Sequence, residues 1–324
     1  MRAIQIHEFG DPAAIEVHQV EDPGPPGRGQ VRIDVAGVGV GYFDGLLIRG
    51  DYQIRPDLPF IPGSSLAGTV ESVGEGVEHL APGTPVAAFA LHGGMAERVL
   101  LPAASCAPLP PAIDLRAAAN FFISWATSLY GLREIGALKP GETVLVLGAA
   151  GSTGTTAIEC AKALGATVVA AASTAAKREH CRAHGADIVV DYTSDDWRDQ
   201  VKNATGGKGV NVVYDPVGGA LAESALRLLA PGGRYLVVGF VTGIAKIPLN
   251  LPLLKRCSIH GVNWGGSVMA DPSVVPPVIR TLVEWSLAGE IDPAPTSVHS
   301  LERAGEAFEA LFGRKSLGGI VIAP

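Results

Sequence analysis

Cysteine and charge are both scarce in this chain. Only four of its 324 residues are cysteines, and charged residues make up 18%. The cysteines are widely spaced without a C-x-x-C pair, which excludes a disulfide framework and favours a reducing cytoplasm. Cations are not in excess, because 25 Lys and Arg face 32 Asp and Glu and leave a net charge of −7. This acidic balance argues against nucleic acid or an anionic membrane as the main partner.

Long apolar runs are also absent. The most apolar stretch, residues 161–176, is interrupted by Lys162, Gly165 and Ser173. It falls short of the ~18–20 residues that a membrane-spanning helix needs. The first ten residues alternate like a strand and do not have the basic-then-apolar order of a secretion signal. With 47% hydrophobic residues and a length typical of about two domains, the chain is expected to be a two-domain globular protein of the cytoplasm.

The pattern of the chain changes after about residue 101. Before this point, short runs alternate apolar and polar residues between Gly and Pro turns, which predicts mostly antiparallel β-structure. After a turn at residues 139–142, apolar strands alternate with helical patterns, which predicts parallel strands joined by crossover helices. These strands are predicted at 143–147, 167–172, 188–190, 210–214, 234–238 and 258–262. The tail beyond them is expected to fold back onto the first domain, so the second domain is an insertion in an α/β protein.

A glycine-rich turn follows the first of these parallel strands. The sequence Gly148-Ala149-Ala150-Gly151-Ser152-Thr153-Gly154 has the spacing G-x-x-G-x-x-G, and a predicted helix begins within it. Such a turn lets backbone N–H groups approach a pyrophosphate at the positive end of a helix. The alternative is a tight strand-to-helix turn without a ligand. The strand before it and the further strand and helix units after it favour a dinucleotide site, with these cofactor contacts: Gly148, Ala150, Gly151, Ser152, Thr153 and Gly154.

The end of the second parallel strand indicates which dinucleotide is bound. An acidic residue at this place would bind the ribose hydroxyls of NAD, but residues 172–178 contain no carboxylate. They offer Ser173, Thr174, Lys177 and Arg178 instead, and hydroxyls and cations suit a 2′-phosphate. The alternative is that Lys177 and Arg178 only form the solvated face of a helix. The residues favour NADPH.

Several further segments match a known family. They are Gly50-Asp51-Tyr52, the run 58–63, the run 93–97, Asp215-Pro216-Val217-Gly218-Gly219, Gly239-Phe240 and the run 261–265. With these segments the chain resembles, over essentially its whole length, the zinc-free NADPH:quinone oxidoreductases of the medium-chain dehydrogenase/reductase superfamily. The resemblance implies a GroES-like partial β-barrel domain of residues 1–120 plus 266–324. It also implies an inserted Rossmann domain, a doubly wound parallel sheet, of residues 121–265.

The same resemblance implies further cofactor contacts. Thr127 and the segment Gly239-Phe240-Val241 would lie at the nicotinamide end, and Ser173, Lys177 and Tyr192 would hold the 2′-phosphate and the adenine. The remaining expected contacts are Thr174, Asp215, Val217, Asn263 and Trp264. Family members often form dimers through the last Rossmann strand, here residues 258–262, so a homodimer is expected.

The ligands of a catalytic zinc are missing. Zinc-dependent relatives carry a Cys where this chain has Gly41, and a His-Glu pair where it has Ser64-Ser65. Gly and Ser cannot supply the N, S or carboxylate ligands that zinc requires. Many zinc-free members carry Asn at the first of these positions and Glu at the last, so part of their polar lining is also absent. His180-Cys181-x-x-His184 has helical i, i+4 spacing but no third ligand, and we expect no metal site.

Hydride transfer without a metal requires an electrophile that accepts hydride readily. A quinone or the β-carbon of a conjugated enone or enal meets this requirement, and the protein contributes positioning and a donor for the developing oxyanion. Tyr52 and Tyr42 are the candidate donors, and Thr127 is a candidate for orienting the nicotinamide. The alternative for each tyrosine is simple packing on a turn.

Two other functions stay open at this point. An enoyl thioester reductase, acting on an acryloyl-CoA-like substrate, would need a basic groove, to which Arg49 and Arg55 could contribute. A non-catalytic NADPH-binding regulatory or nucleic-acid-binding protein would bind the cofactor without turnover. The leading prediction is a zinc-independent reductase with a small quinone or conjugated carbonyl as its substrate.

Overall fold

The computed structural model describes residues 1–324 and contains fifteen strands and eleven α-helices. The strands are β1 (Arg2–Ile4), β2 (Val17–Gln19), β3 (Gln30–Gly39), β4 (Ser65–Val73), β5 (Pro85–Phe89), β6 (Arg98–Pro102), β7 (Cys106–Pro108), β8 (Thr143–Val146), β9 (Thr167–Ala171), β10 (Ile188–Val190), β11 (Val210–Asp215), β12 (Leu229–Val237), β13 (Ser258–Gly261), β14 (Ser297–Ser300) and β15 (Ile320–Ala323). The helices are α1 (Tyr42–Arg49), α2 (Leu115–Ala118), α3 (Ala126–Tyr130), α4 (Ser152–Ala163), α5 (Ala175–Ala183), α6 (Trp197–Ala204), α7 (Leu221–Leu226), α8 (Asn250–Lys255), α9 (Trp264–Ala270), α10 (Val275–Ala288) and α11 (Ala304–Phe312). None of them combines the length and apolarity that crossing a bilayer requires.

The chain divides into two compact units. Unit 1 consists of Met1–Ser124 and Ile279–Pro324, and unit 2 of Trp125–Val278. The sequence prediction placed the inserted domain at 121–265, so both changes of unit come later than predicted. The first falls in the π-helical turn Phe121–Trp125 and the second within α10.

Unit 1 is built on a largely antiparallel sheet. Its strand order is β14-β15-β3-β4-β5-β7, with β6 also pairing with β3, and only β14 and β15 pair in parallel. The alternating apolar side chains of β3 and β4 are buried in one core with α11. The predicted GroES-like β domain is confirmed. Helix α1 was not predicted; it ends where Gly50 adopts a φ of 70°, a left-handed conformation that favours glycine.

Unit 2 contains a six-stranded parallel sheet. Its strand order is β10-β9-β8-β11-β12-β13, so the chain starts in the middle, proceeds to one edge and then continues to the other. This is the Rossmann order, and the predicted doubly wound sheet is confirmed. The order reverses between β8 and β11. Ligands of such sheets bind at the carboxyl ends of the strands at this point, so the segments that follow β8 and β11 define the place of the site.

Candidate functional site

The glycine-rich turn after β8 forms a close-packed cradle. A Cβ at Gly154 would lie 2.4 Å from the carbonyl oxygen of Gly148, so only glycine lets α4 approach the turn. Gly151 is the N-cap of α4, and no side chain caps the helix. The first turn lies at the positive end of a twelve-residue helix, which attracts an anion. Because a Cβ at Gly151 would meet only the Gly148 oxygen, at 3.5 Å, the space over this turn is open. These features fit a pyrophosphate.

A buried network of hydroxyl groups connects the phosphate turn to α3 and β11. The Ser128 hydroxyl donates to the Thr153 carbonyl at 3.1 Å and also contacts the Thr156 hydroxyl at 2.7 Å and the Tyr214 hydroxyl at 3.1 Å. Burial raises the pKa of Tyr214, so its hydroxyl stays protonated. The network joins α3, which carries the half-buried Thr127, to the phosphate turn and to β11.

The segment after β9 begins helix α5 with hydroxyl and cationic residues. Thr174 is the N-cap, and its hydroxyl oxygen accepts from the backbone N–H of Lys177 at 3.2 Å. Ser173 and Lys177 are half-buried beside it. Arg178 differs from the prediction, because its guanidinium pairs with Asp191 at 2.7 Å and donates to the Ala172 carbonyl at 3.3 Å. The Arg178 guanidinium is therefore bound by protein groups, and Ser173, Thr174 and Lys177 stay the predicted contacts of a 2′-phosphate.

The expected adenine and nicotinamide contacts lie on several segments of unit 2. Tyr192, two residues after β10, is partly buried and packs against the hydrophobic core of unit 2. Phe240 and Val241 are exposed after β12, whereas Trp264 is buried against the Tyr130 ring with no partner for its indole N–H. Asn263 caps α9 by accepting from the Gly266 N–H at 3.0 Å.

Asp215 lies beside the reversal of strand order but faces the protein. One carboxylate oxygen accepts from the N–H groups of Val217 and Gly218, at 2.8 and 2.9 Å, and the other accepts from the Tyr235 hydroxyl at 2.5 Å. The prediction made Asp215 a cofactor contact. With both oxygens occupied inside the protein, it supports the turn that carries Val217. The sequence analysis missed Tyr235 entirely.

The two candidate donor tyrosines in unit 1 have different surroundings. The Tyr42 hydroxyl donates to the Leu311 carbonyl at 3.3 Å, its ring packs edge-on against Phe312, and burial raises its pKa. This hydrogen bond uses the hydroxyl proton that the predicted donor role of Tyr42 requires. The Tyr52 ring packs edge-on against Phe43, and no partner for its hydroxyl is found within unit 1.

The place of the absent zinc ligands is occupied by a buried carboxylate. Asp44 is fully buried; it accepts from the Gly41 N–H at 3.0 Å, the Ser64 N–H at 3.0 Å and the Ser64 hydroxyl at 2.8 Å. Burial raises the pKa of Asp44 to about 6. The Ser65 hydroxyl donates to the Ala119 carbonyl at 2.6 Å. The polar groups here are all bonded to the protein, and these residues do not fit a zinc ion.

The histidine pair on α5 also has protein partners. His184 Nδ1 lies 2.6 Å from the buried Glu159 carboxylate, and His180 Nε2 lies 2.9 Å from the Thr155 hydroxyl. Burial, with a smaller contribution from His184, lowers the pKa of His180 to about 4. No group of three His, Cys, Asp or Glu side chains that could hold a metal ion occurs in residues 1–324.

A GroES-like β domain with an inserted dinucleotide-binding sheet defines a medium-chain dehydrogenase or reductase. Two family models match the chain, "Alcohol dehydrogenase GroES-like domain" over residues 27–111 and "Zinc-binding dehydrogenase" over residues 152–284. Quinone oxidoreductase-like protein 2 of Mus musculus is 36% identical over 99% of this chain and 92% of its own length. Quinone oxidoreductase of Rattus norvegicus is 32% identical over 95% of this chain and 93% of its own length.

A solved structure agrees with these relatives. Escherichia coli quinone oxidoreductase complexed with NADPH superimposes with a TM-score of 0.92 at 29% identity, and the match covers 100% of both chains. The chain belongs to the quinone oxidoreductase family of the medium-chain dehydrogenase/reductase superfamily, so the predicted resemblance is confirmed.

Proposed function

We propose that this chain is an NADPH-dependent oxidoreductase that transfers hydride, without a metal, to a quinone or to the β-carbon of a conjugated enone or enal. The observation that carries the proposal is an uncapped phosphate turn after β8 together with a Ser, Thr and Lys set, free of carboxylates, after β9. The NADPH bound to the Escherichia coli relative supports the choice of cofactor. The Asp44 and Ser64 cluster, which leaves no ligand for zinc, supports the metal-independent chemistry.

NADPH, when bound, supplies the hydride that reduces the substrate. The residues of this chain position both reactants. The first turn of α4 binds the pyrophosphate, Ser173 and Lys177 hold the 2′-phosphate, and Thr127 with the segment Gly239–Val241 orients the nicotinamide end. Tyr52 supplies the hydroxyl donor toward the oxygen on which negative charge develops, a contribution of the oxyanion-hole type.

Initial rates of NADPH and NADH oxidation by chelator-treated protein test this function. A simple quinone, an enone and an enoyl thioester serve as acceptors. Turnover of the quinone or the enone with NADPH supports the proposal, and loss of that turnover on chelation contradicts the metal-free chemistry. Turnover of the enoyl thioester alone assigns the alternative reductase, and tight NADPH binding without turnover assigns a regulatory role. The two cations considered for a thioester groove contact protein groups, since Arg49 lies over the Phe312 ring and Arg55 donates to the Gly50 carbonyl.

Lys177→Ala is expected to weaken the binding of NADPH about tenfold and the binding of NADH less than twofold. A 2′-phosphate and an ammonium form a charge-assisted contact, and about 1.4 kcal/mol separates the two affinities. Fluorescence titration of each cofactor measures the effect. Lys177→Arg keeps the charge and should retain the preference for NADPH. Equal losses for both cofactors in the alanine variant would remove Lys177 from the 2′-phosphate site.

We also propose that two copies pair through the free edge of β13. This strand is the last in the sheet, and the helix that leads into it carries strongly exposed leucines, with Leu253 78% and Leu254 71% exposed. A two-fold axis would pair each free edge with its copy and cover these side chains in both chains.

Leu253→Asp combined with Leu254→Asp is expected to convert the dimer to a monomer. Burying two carboxylates in an apolar interface without partners costs several kcal/mol, more than a modest dimer can tolerate. Light scattering after size-exclusion chromatography should show twice the 33.4 kDa chain mass for the wild type and the single mass for the variant. Val298→Asp, at an exposed site on the edge strand β14 of unit 1, is the matched control and should stay dimeric. A monomeric wild type would refute the pairing.

A further inference from the structure

Tyr235 and Asp215 form a hydrogen-bonded pair in the core of unit 2. Each is 1% exposed, and the hydroxyl lies 2.5 Å from the carboxylate. Burial and the neighbouring Asp215 raise the pKa of Tyr235, so its hydroxyl keeps the proton that it donates. A carboxylate shielded from solvent depends on its protein donors, and Tyr235 is one of three, beside the N–H groups of Val217 and Gly218.

The turn held by Asp215 contacts two parts of the candidate cofactor site. On one side Val217 lies against the phosphate turn, where a Cβ at Gly148 would come within 2.7 Å of its Cγ2. On the other side the Val217 carbonyl accepts from the Thr242 N–H at 2.9 Å, and the Gly219 N–H donates to the Gly243 carbonyl at 2.8 Å. The turn 216–219 is therefore fixed between the phosphate turn and the loop 239–243, which carries the expected nicotinamide contacts.

We propose that Tyr235 is a positioning residue for the nicotinamide half of NADPH, acting through Asp215 on the turn 216–219 and the loop 239–243. Its bond with Asp215 connects β12 to the end of β11, so both segments hold one position before the cofactor binds. The residues that would hold the adenosine half follow β9, which is separated from β11 by β8 in the sheet. The inference rests on the proposed NADPH site and adds a residue that touches no part of the cofactor itself.

Two ligands distinguish positioning from general stability. NADPH spans both halves of the site, whereas 2′,5′-ADP carries only the adenosine half with its 2′-phosphate. Tyr235→Phe keeps the ring and removes the hydroxyl, and we expect it to weaken NADPH about tenfold, the scale of one hydrogen bond to a charged group, with 2′,5′-ADP unchanged within about twofold. Isothermal titration of the purified protein measures both. Val201→Ala, which removes buried methyl groups from the same core, is the control and should lower Tm without separating the two ligands.

Asp215→Asn gives an independent test if Tyr235→Phe does not fold. Asn keeps the shape of the side chain but removes the charge that strengthens the bonds with Val217, Gly218 and Tyr235, so NADPH binding is expected to weaken about threefold with 2′,5′-ADP binding unchanged. If Tyr235→Phe lost affinity for NADPH and for 2′,5′-ADP equally, or lost affinity for neither, the positioning role would be overturned. Equal effects on the two ligands in Asp215→Asn would also overturn it. A wild type that binds neither ligand would instead refute the proposed cofactor site.

Discussion

Gly151→Ala is expected to raise the Kd for NADPH about 100-fold while leaving the fold intact. Its φ of −78° suits any residue, and an added Cβ would meet only the Gly148 carbonyl oxygen, at 3.5 Å. The methyl group would cover the N–H surface that binds the pyrophosphate, so the loss falls on binding and not on folding. Titration with NADPH and a thermal melt of the apo-protein measure the two effects separately.

Gly154→Ala is the matched variant three residues further along. Its Cβ would lie 2.4 Å from the Gly148 carbonyl oxygen and 2.7 Å from two backbone atoms of Ala149. Moving these backbone atoms apart costs folding free energy, and overpacking of this kind costs about 1–3 kcal/mol. This variant should therefore lose NADPH binding and also lower Tm by several degrees. If Gly151→Ala bound NADPH like the wild type, the cradle would have no role in binding the cofactor.

Asp44 is expected to make the protein less stable as the pH rises from about 4 to about 6. Its folded-state pKa, about 6, is above the ordinary 3.8, because burial disfavours the charged form. The stability from this group is therefore fully present below the unfolded-state pKa and is lost as the pH rises through the folded-state pKa. By linkage the loss is about 3 kcal/mol. Above pH 6 the carboxylate is charged and is held by its three donors.

Denaturant unfolding of the wild type and Asp44→Asn at pH 4, 5, 6 and 7 measures this effect. Asn does not titrate, so the difference in unfolding free energy between the two proteins should change by about 2 kcal/mol between pH 4 and 6 and level off by about pH 7. Ser64→Ala removes one donor to the carboxylate and should move the transition to higher pH. Parallel pH profiles for the wild type and Asp44→Asn would show that Asp44 does not titrate in this range.

Features formed by residues that are contiguous in the sequence could be predicted from it. The apolar strand, the three spaced glycines and the following helix are contiguous, and the structure places them as expected. The hydroxyl and cationic residues after β9 likewise needed only their position behind a strand. These local patterns were sufficient for the fold class and for most of the expected cofactor contacts, which stay predictions at the level of single residues.

Long-range contacts could not be predicted in the same way. Tyr42 was a candidate donor because a phenol can donate a hydrogen bond, yet its hydroxyl donates to the carbonyl of Leu311, 269 residues away. Asp215 matched a family motif, but its partner Tyr235 lies on the neighbouring strand, and nothing in either local pattern shows that the two side chains meet. Arg178 next to Lys177 looked equivalent to it, and only the fold shows that Asp191 neutralises it.

The pairing of β3 with β15 determines when each unit can be completed during synthesis. β3 is synthesised early and pairs with β6 over residues 30–34, but its end at Val38 and Gly39 has no partner on that side until residues 320–323 have been made, whereas unit 2 is one continuous segment. We therefore expect unit 2 to reach its native state first during synthesis, with the surrounding β domain incomplete until residues 320–323 have been made. A strand end that stays unpaired during this time is open to pairing with the wrong strand, so slow docking of β15 would expose the β domain to misfolding.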